Sequence, residues 1–88
     1  MPVQSDADQA LDLIETDDFQ PGPNWEKAHE IAQHHEGEAL FDAIHALLHR
    51  IEGDLSNASY WDRRAGTDFG GAGHPRELAA LRSMAVKP

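Results

Sequence analysis

His45, His49 and Glu52 stand at i, i+4 and i+7, a spacing that puts all three within about 60° of one another on a helix. Two imidazoles and a carboxylate are ligands that suit zinc, iron or nickel, so this face is a candidate metal triad. His29, on the preceding segment, flanks an apolar stripe and is placed to add a fourth group. The same residues have two other readings. One is a hydrogen-bonded polar seam between helices, completed by Arg50, Asn57 and Arg64, of the kind small bundles need at their edges. The other is a histidine acid/base pair.

A second group of residues follows closely. Arg63 and Arg64 adjoin Tyr60 and Trp61, and guanidinium groups beside aromatic rings can hold a carboxylate or phosphate through forked hydrogen bonds. Tyr60, Arg63 and Arg64 are therefore candidates for a small anionic ligand. Positive side chains at a helix C-terminus also complement its dipole, which accounts for at least one arginine without any ligand. Trp61 falls on the apolar face and belongs to the core, whereas Tyr60 lies off it.

Other patterns fail on geometry. His29-Glu30 and His34 resemble the zinc-protease sequence His-Glu-x-x-His, but five residues separate the histidines by about 140°, too far to share an ion from a regular helix. His34-His35 reads as solvated surface. Gly70-Gly-Ala-Gly73 follows no strand and lacks the lysine of a phosphate-binding loop, so it reads as a flexible linker. The absence of cysteine excludes disulfides, thiolate ligands and cysteine nucleophiles together.

The elements that must position these residues are helices. Ser5 to Asp8 resembles a capping box, followed by Ala10, Leu11 and Ile14 at helical spacing. Residues 17–23 carry two prolines around a glycine and break the chain. Asn24 is expected to cap a second helix bearing Trp25, Ala28, Ile31 and Ala32, which Gly37 ends or kinks. Residues 38–52 show the best periodicity, with Leu40, Phe41, Ile44, Leu47, Leu48 and Ile51 on one arc. Gly53 suits the left-handed residue that closes that helix, and Asp54 caps a fourth carrying Leu55, Ala58, Trp61 and Ala65. Residues 67–74 are expected to be weakly ordered. Pro75 suits the first turn of a last helix with Leu78, Ala79, Leu81 and Ala85. No alternating strand pattern appears, and the predicted fold is all-α, a small helical bundle.

Composition bounds the rest. At 88 residues the chain is expected to form one domain, divided into an N-terminal helix and breaker (1–23), a core (24–66), and a linker with a C-terminal helix (67–88). Such a chain buries only about 60% of its unfolded surface, and association with a second copy would supplement a small core. The net charge of −9 is uneven: residues 1–49 hold eleven acids against Lys27, a balance of −10, while residues 50–88 hold five acids against six bases, a balance of +1. An acidic surface repels phosphate backbones, which argues against nucleic acid as a partner. The opposed halves suggest a homodimer in which acidic and arginine-bearing faces meet. No secretory signal or membrane-length apolar run is visible, so a cytoplasmic location without membrane contact is expected.

The hinge at Gly53 has repeat character. Ala46, Ala58 and Ala65 sit where small residues let two antiparallel helices cross in a tetratricopeptide-type unit, although His49 and Asp62 stand where aromatics are usual. A single unit cannot form a solenoid, and the expectation is one tetratricopeptide-like hairpin within the bundle. Residues 24–66 also resemble a group of small, uncharacterised microbial proteins. The shared signature falls on Trp25, Ala28, His29, Gln33, His45, Ala46, His49, Arg50, Glu52, Gly53, Asp54, Asn57, Ala58, Tyr60, Trp61, Arg63, Arg64, Ala65 and Gly66. Asp62 departs from it, occupying a position where another aromatic is expected. The resemblance implies a shared fold and a shared site, and brings no activity with it.

Two functional classes follow. A non-catalytic interaction or dimerisation module is the first. The alternative is a metal- or anion-binding protein that uses His29, His45, His49, Glu52, Asn57, Tyr60, Arg63 and Arg64, with acid/base catalysis as its extension. No cofactor other than a metal ion at His45, His49 and Glu52 is implied. The small size and the lack of a visible nucleophile weigh against an enzyme.

Overall fold

The computed structural model describes residues 5–86, which form five helices and no strand: α1 (Asp6–Thr16), α2 (Pro23–His34), α3 (Ala39–Ile51), α4 (Leu55–Ala65) and α5 (His74–Ala85). The predicted all-α bundle is the observed architecture. Among the described residues, no helix is long and apolar enough to cross a membrane.

α3 is the central element. Its residues Phe41 to Leu48 and His49 are buried in unbroken succession, because α1, α2, α4 and α5 all pack against it. The apolar arc predicted from periodicity supplies Phe41, Ile44, Leu47 and Leu48 to a core completed by Leu11 and Ile14 of α1, Ala28 and Ala32 of α2, and Leu78 and Leu81 of α5. A helix enclosed on every side must also bury its polar positions. That is why Asp42, His45 and His49 are removed from solvent, rather than half-buried as an amphipathic reading expects.

The helix ends follow local chemistry. Ser5 Oγ accepts from the Asp8 amide at 3.1 Å, and Asp54 accepts from the Asn57 amide at 3.3 Å, so α1 and α4 start on the predicted caps. α2 differs from expectation. It begins at Pro23 with Gly22 at its cap, because the fixed φ and missing N–H of proline suit the first helical position; Asn24 lies inside the first turn. α2 also ends earlier than Gly37, at His34, and the turn that follows is held by Asp42, whose carboxylate accepts from the Gly37 amide at 3.0 Å. Between α1 and α2, Asp18 and Phe19 adopt positive φ despite having side chains, and Phe19 offsets that strain by packing against the core.

The α3–α4 hairpin sets the register of the site. Gly53 has φ +86° and carries the chain through the turn, where an L side chain would be strained. The two helices run antiparallel: His45 stacks on Trp61, and three residues earlier Asp42 faces Arg64. Ala46 and Ala58 are fully buried, so short side chains occupy interior positions of both helices.

α5 is tied to the hairpin by charge. Arg50 donates through Nε to Glu77 at 2.9 Å and through Nη1 to Asp62 at 2.8 Å, with a further contact from Nη2 to Glu77. Asp62 also accepts from Thr67 Oγ1 at 2.9 Å, and Phe69 packs against the core, so residues 67–73 are anchored at two points of a stretch expected to be a free linker. Glu77 is 0% exposed. Burial pushes its carboxyl up, and the Arg50 guanidinium draws it back down. The sequence placed Arg50 in the histidine seam; it serves α5 instead.

The opposed charges of the two halves meet within one chain. Arg82 of α5 donates to Asp12 at 2.9 Å and to Glu15 at 2.8 Å on α1, and Arg64 lies 3.9 Å from both Glu36 and Asp42. Part of the charge asymmetry that suggested a dimer is thereby used in folding the monomer.

Candidate metal centre

Three histidines from two helices converge. His45 and His49, one turn apart on α3, stack with ring centroids 5.1 Å apart. His29 crosses from α2 and meets His45 edge-on, the two Nε2 atoms 2.9 Å apart. One ring nitrogen from each of His29, His45 and His49 lies within 4.8 Å of the others. Glu52 joins through His49, whose Nδ1 is 2.7 Å from the Glu52 carboxylate. A carboxylate only accepts, so His49 carries a proton on Nδ1, which leaves Nε2 as its possible ligand atom. The convergent set is therefore three imidazoles, with the glutamate behind one of them. The spacing-based triad of His45, His49 and Glu52 is rearranged by the arrival of His29.

Two tryptophans hold the rings. Trp25, one turn before His29 on α2, stacks on it at 5.0 Å and donates Nε1–H to the Leu48 carbonyl at 2.8 Å, which fixes α2 to α3 beside the cluster. Trp61 of α4 stacks on His45 at 3.8 Å with the rings nearly parallel. Arg64 lies over the Trp61 ring at 4.9 Å and over Tyr60 at 5.7 Å, and donates to the Tyr60 hydroxyl at 3.2 Å.

The electrostatics favour the neutral form of two of these imidazoles, His45 and His29. Burial, then the neighbouring His29 and His49 and the charge of Arg64, push His45 down to about 3. His29 is also lowered, first by burial and then by His49, with Glu52 acting against both. Neutral imidazole is the form that coordinates a metal. His45 Nδ1 is buried without a partner among the described residues. In the metal-free chain the less costly tautomer leaves that atom a bare lone pair and has Nε2–H donate to His29, because an orphaned N–H is the rarer defect in proteins.

The cluster is closed on most sides. His45 is 2% exposed and His49 7%, while the half-buried His29 and the edge of Glu52 border a cleft of about 470 Å³. Pro21, Gly22, Trp25, Glu26, Glu30 and Gln33 form the rest of its wall.

The other sequence candidates lie elsewhere. Asn57 belongs to the cap of α4, bonding Asp54. Tyr60 and Arg64 pair with each other, Arg64 reaching the cluster only through Trp61 and its charge, and Arg63 is exposed. Asp54 approaches His49 and Glu52 closely enough to make a second group of possible ligands with them, its two carboxylates exposed and its histidine buried. His34 is exposed as expected, but its neighbour His35 is not mere surface: its nitrogens meet Asp6 at 2.8 Å and Glu38 at 2.9 Å, and its ring stacks on Phe41 at 4.0 Å, tying α1 to the start of α3. Trp25 and Trp61 were read only as core. The four-residue spacing of Trp25 and His29 is visible in sequence, whereas the pairing of His45 with Trp61 requires the hairpin register.

No protein-family model, curated protein or solved structure matches this chain.

Proposed function

We propose that this protein binds a transition-metal ion, zinc being the reference case, through Nε2 of His29, His45 and His49. The observation that carries the proposal is the convergence of three ring nitrogens, each supplied from a helix whose position is fixed by core packing. The His29–His45 spacing suits the chemistry. Tetrahedral zinc with bonds of about 2.0–2.1 Å separates its nitrogen ligands by about 3.3 Å. The 2.9 Å between His29 and His45 needs an adjustment of only a few tenths of an ångström. Glu52 accepts from the far nitrogen of His49, the arrangement that orients a ligating imidazole and raises its basicity. Trp25 and Trp61 support the rings through stacking.

The first expectation from sequence, an interaction module, has less behind it. Among the described residues, the exposed large apolar ones are Leu55, Tyr60 and Val86, scattered over α4 and the end of α5, and they make no continuous docking face. Acid/base catalysis would need His45 to gain a proton near neutral pH, against the push of its burial.

The test is cobalt(II) substitution in the full chain prepared without a histidine tag. A bound ion with nitrogen ligands gives visible absorption that saturates at one equivalent and disappears on competition with zinc. His29→Ala with His49→Ala should abolish that absorption while the circular dichroism stays helical. An absorption unchanged in the double variant would place the ion elsewhere, and no absorption in the parent chain would end the proposal.

A further inference from the structure

Resting on the metal-centre reading, we infer that the ion keeps one coordination position open toward the cleft, and that this position takes a neutral donor nitrogen carried by a cationic molecule. Three protein ligands are fewer than the four that close a structural zinc site, and three is the number found where an exogenous ligand completes the sphere. The direction of approach is set by packing. His45 lies against Trp61 and His49 against Trp25, both shut off from solvent, so only the side bordered by His29 and Glu52 remains accessible.

The walls of that cleft decide the charge of what enters. Trp25, Glu26, His29, Glu30 and Gln33 recur at helical spacing along α2 and form one wall, with Glu52 of α3 contributing a third carboxylate. Among the described residues, no lysine or arginine lines it. The ion adds two positive charges to a lining of three carboxylates, so the cleft stays net negative, repelling anions and attracting cations, which the face of an indole also favours. The volume, about 470 Å³, falls within the range of small-molecule sites. A ligand with a neutral nitrogen at one end and a protonated amine at the other matches the metal and the wall together.

Three pyridines that share one donor nitrogen and differ in charge make the test: 4-(aminomethyl)pyridine, 4-methylpyridine and pyridine-4-carboxylate. Each is titrated into the cobalt(II)-loaded full chain, and the change in visible absorption is followed. The expected order of affinity is cation, then neutral, then anion, with about tenfold or more between the first and the last. Glu26→Gln with Glu30→Gln alters exposed side chains that are not among the three ligands, so it should retain cobalt and bring the three affinities together. Cobalt bound but unaffected by any pyridine would overturn the open position. An anion that binds as tightly as the cation, or an order that persists in the double variant, would overturn the charge selection. Failure to bind cobalt at all would instead defeat the metal-centre reading beneath it.

Discussion

Acid should unfold the metal-free protein through His45, and the size of the effect can be worked from its surroundings. In an unfolded chain this imidazole takes up a proton below about pH 6.5, but burial and its charged neighbours hold the folded value at about 3. The unfolded state therefore binds more protons throughout the interval between those values. The stability contributed by keeping His45 neutral is complete above pH 6.5 and drains away as pH falls toward 3. One such group removes up to about 1.4 kcal/mol per pH unit, or about 2 kcal/mol between pH 7.5 and pH 5, where most carboxylates have yet to titrate. For a domain of this size that is a fall in Tm of roughly 8–16 °C. His29, lowered by burial, acts in the same direction. His35, raised by its bonds to Asp6 and Glu38, acts in the opposite one, its contribution being present at low pH and lost as pH rises. The assay is chemical denaturation of the parent and of His45→Phe, in chelator, at half-unit steps across that window. Phenylalanine keeps a ring against Trp61 and cannot titrate, so its stability should fall with acid by about 2 kcal/mol less than the parent's. Parallel pH profiles for the two proteins would refute the reasoning.

Other consequences can be checked separately. Arg50→Ala should cost about 3–5 kcal/mol in urea denaturation, because it leaves the fully buried Glu77 carboxylate without its partner; an unchanged midpoint would mean the pair contributes nothing. Glu52→Gln should weaken zinc binding about 10–100-fold in competition with a chelator, with the helical content unaltered. Gly53→Ala should destabilise by about 1–2 kcal/mol from the left-handed backbone alone, since nothing lies within 4 Å of the added Cβ. Trp25→Phe retains a ring against His29 but loses the bond to the Leu48 carbonyl, and a loss of about 1 kcal/mol in thermal unfolding is expected.

The periodicity of α3 and the caps at Ser5 and Asp54 made most of the helices legible, because each depends on neighbours within a few residues. Gly22 and Pro23 show the limit of that approach: proline and asparagine are both strong start signals, and only the packed structure decides between them. His45, His49 and Glu52 were visible as a face for the same local reason. Their depth was not, since burial of a polar face depends on which helices cover it. His29 was legible as a flanking group, but its place as a full member required the crossing of α2 over α3. Glu77 gave no signal at all. An acid in a C-terminal helix looks like surface until the hairpin brings Arg50 and Asp62 against it.

The central claim is tested most directly by following the imidazole nitrogens themselves. The chain has six histidines, which supply their own controls. Long-range proton–nitrogen correlation spectra of uniformly labelled protein should show, on addition of zinc, that Nε2 of His29, His45 and His49 shifts together and stops changing at one equivalent. Nδ1 of His49 should keep its proton toward Glu52, and the rings of His34, His35 and His74 should stay where they were. Shifts spread over His34 and His35, or a cluster that remains unchanged as zinc is added, would contradict the account.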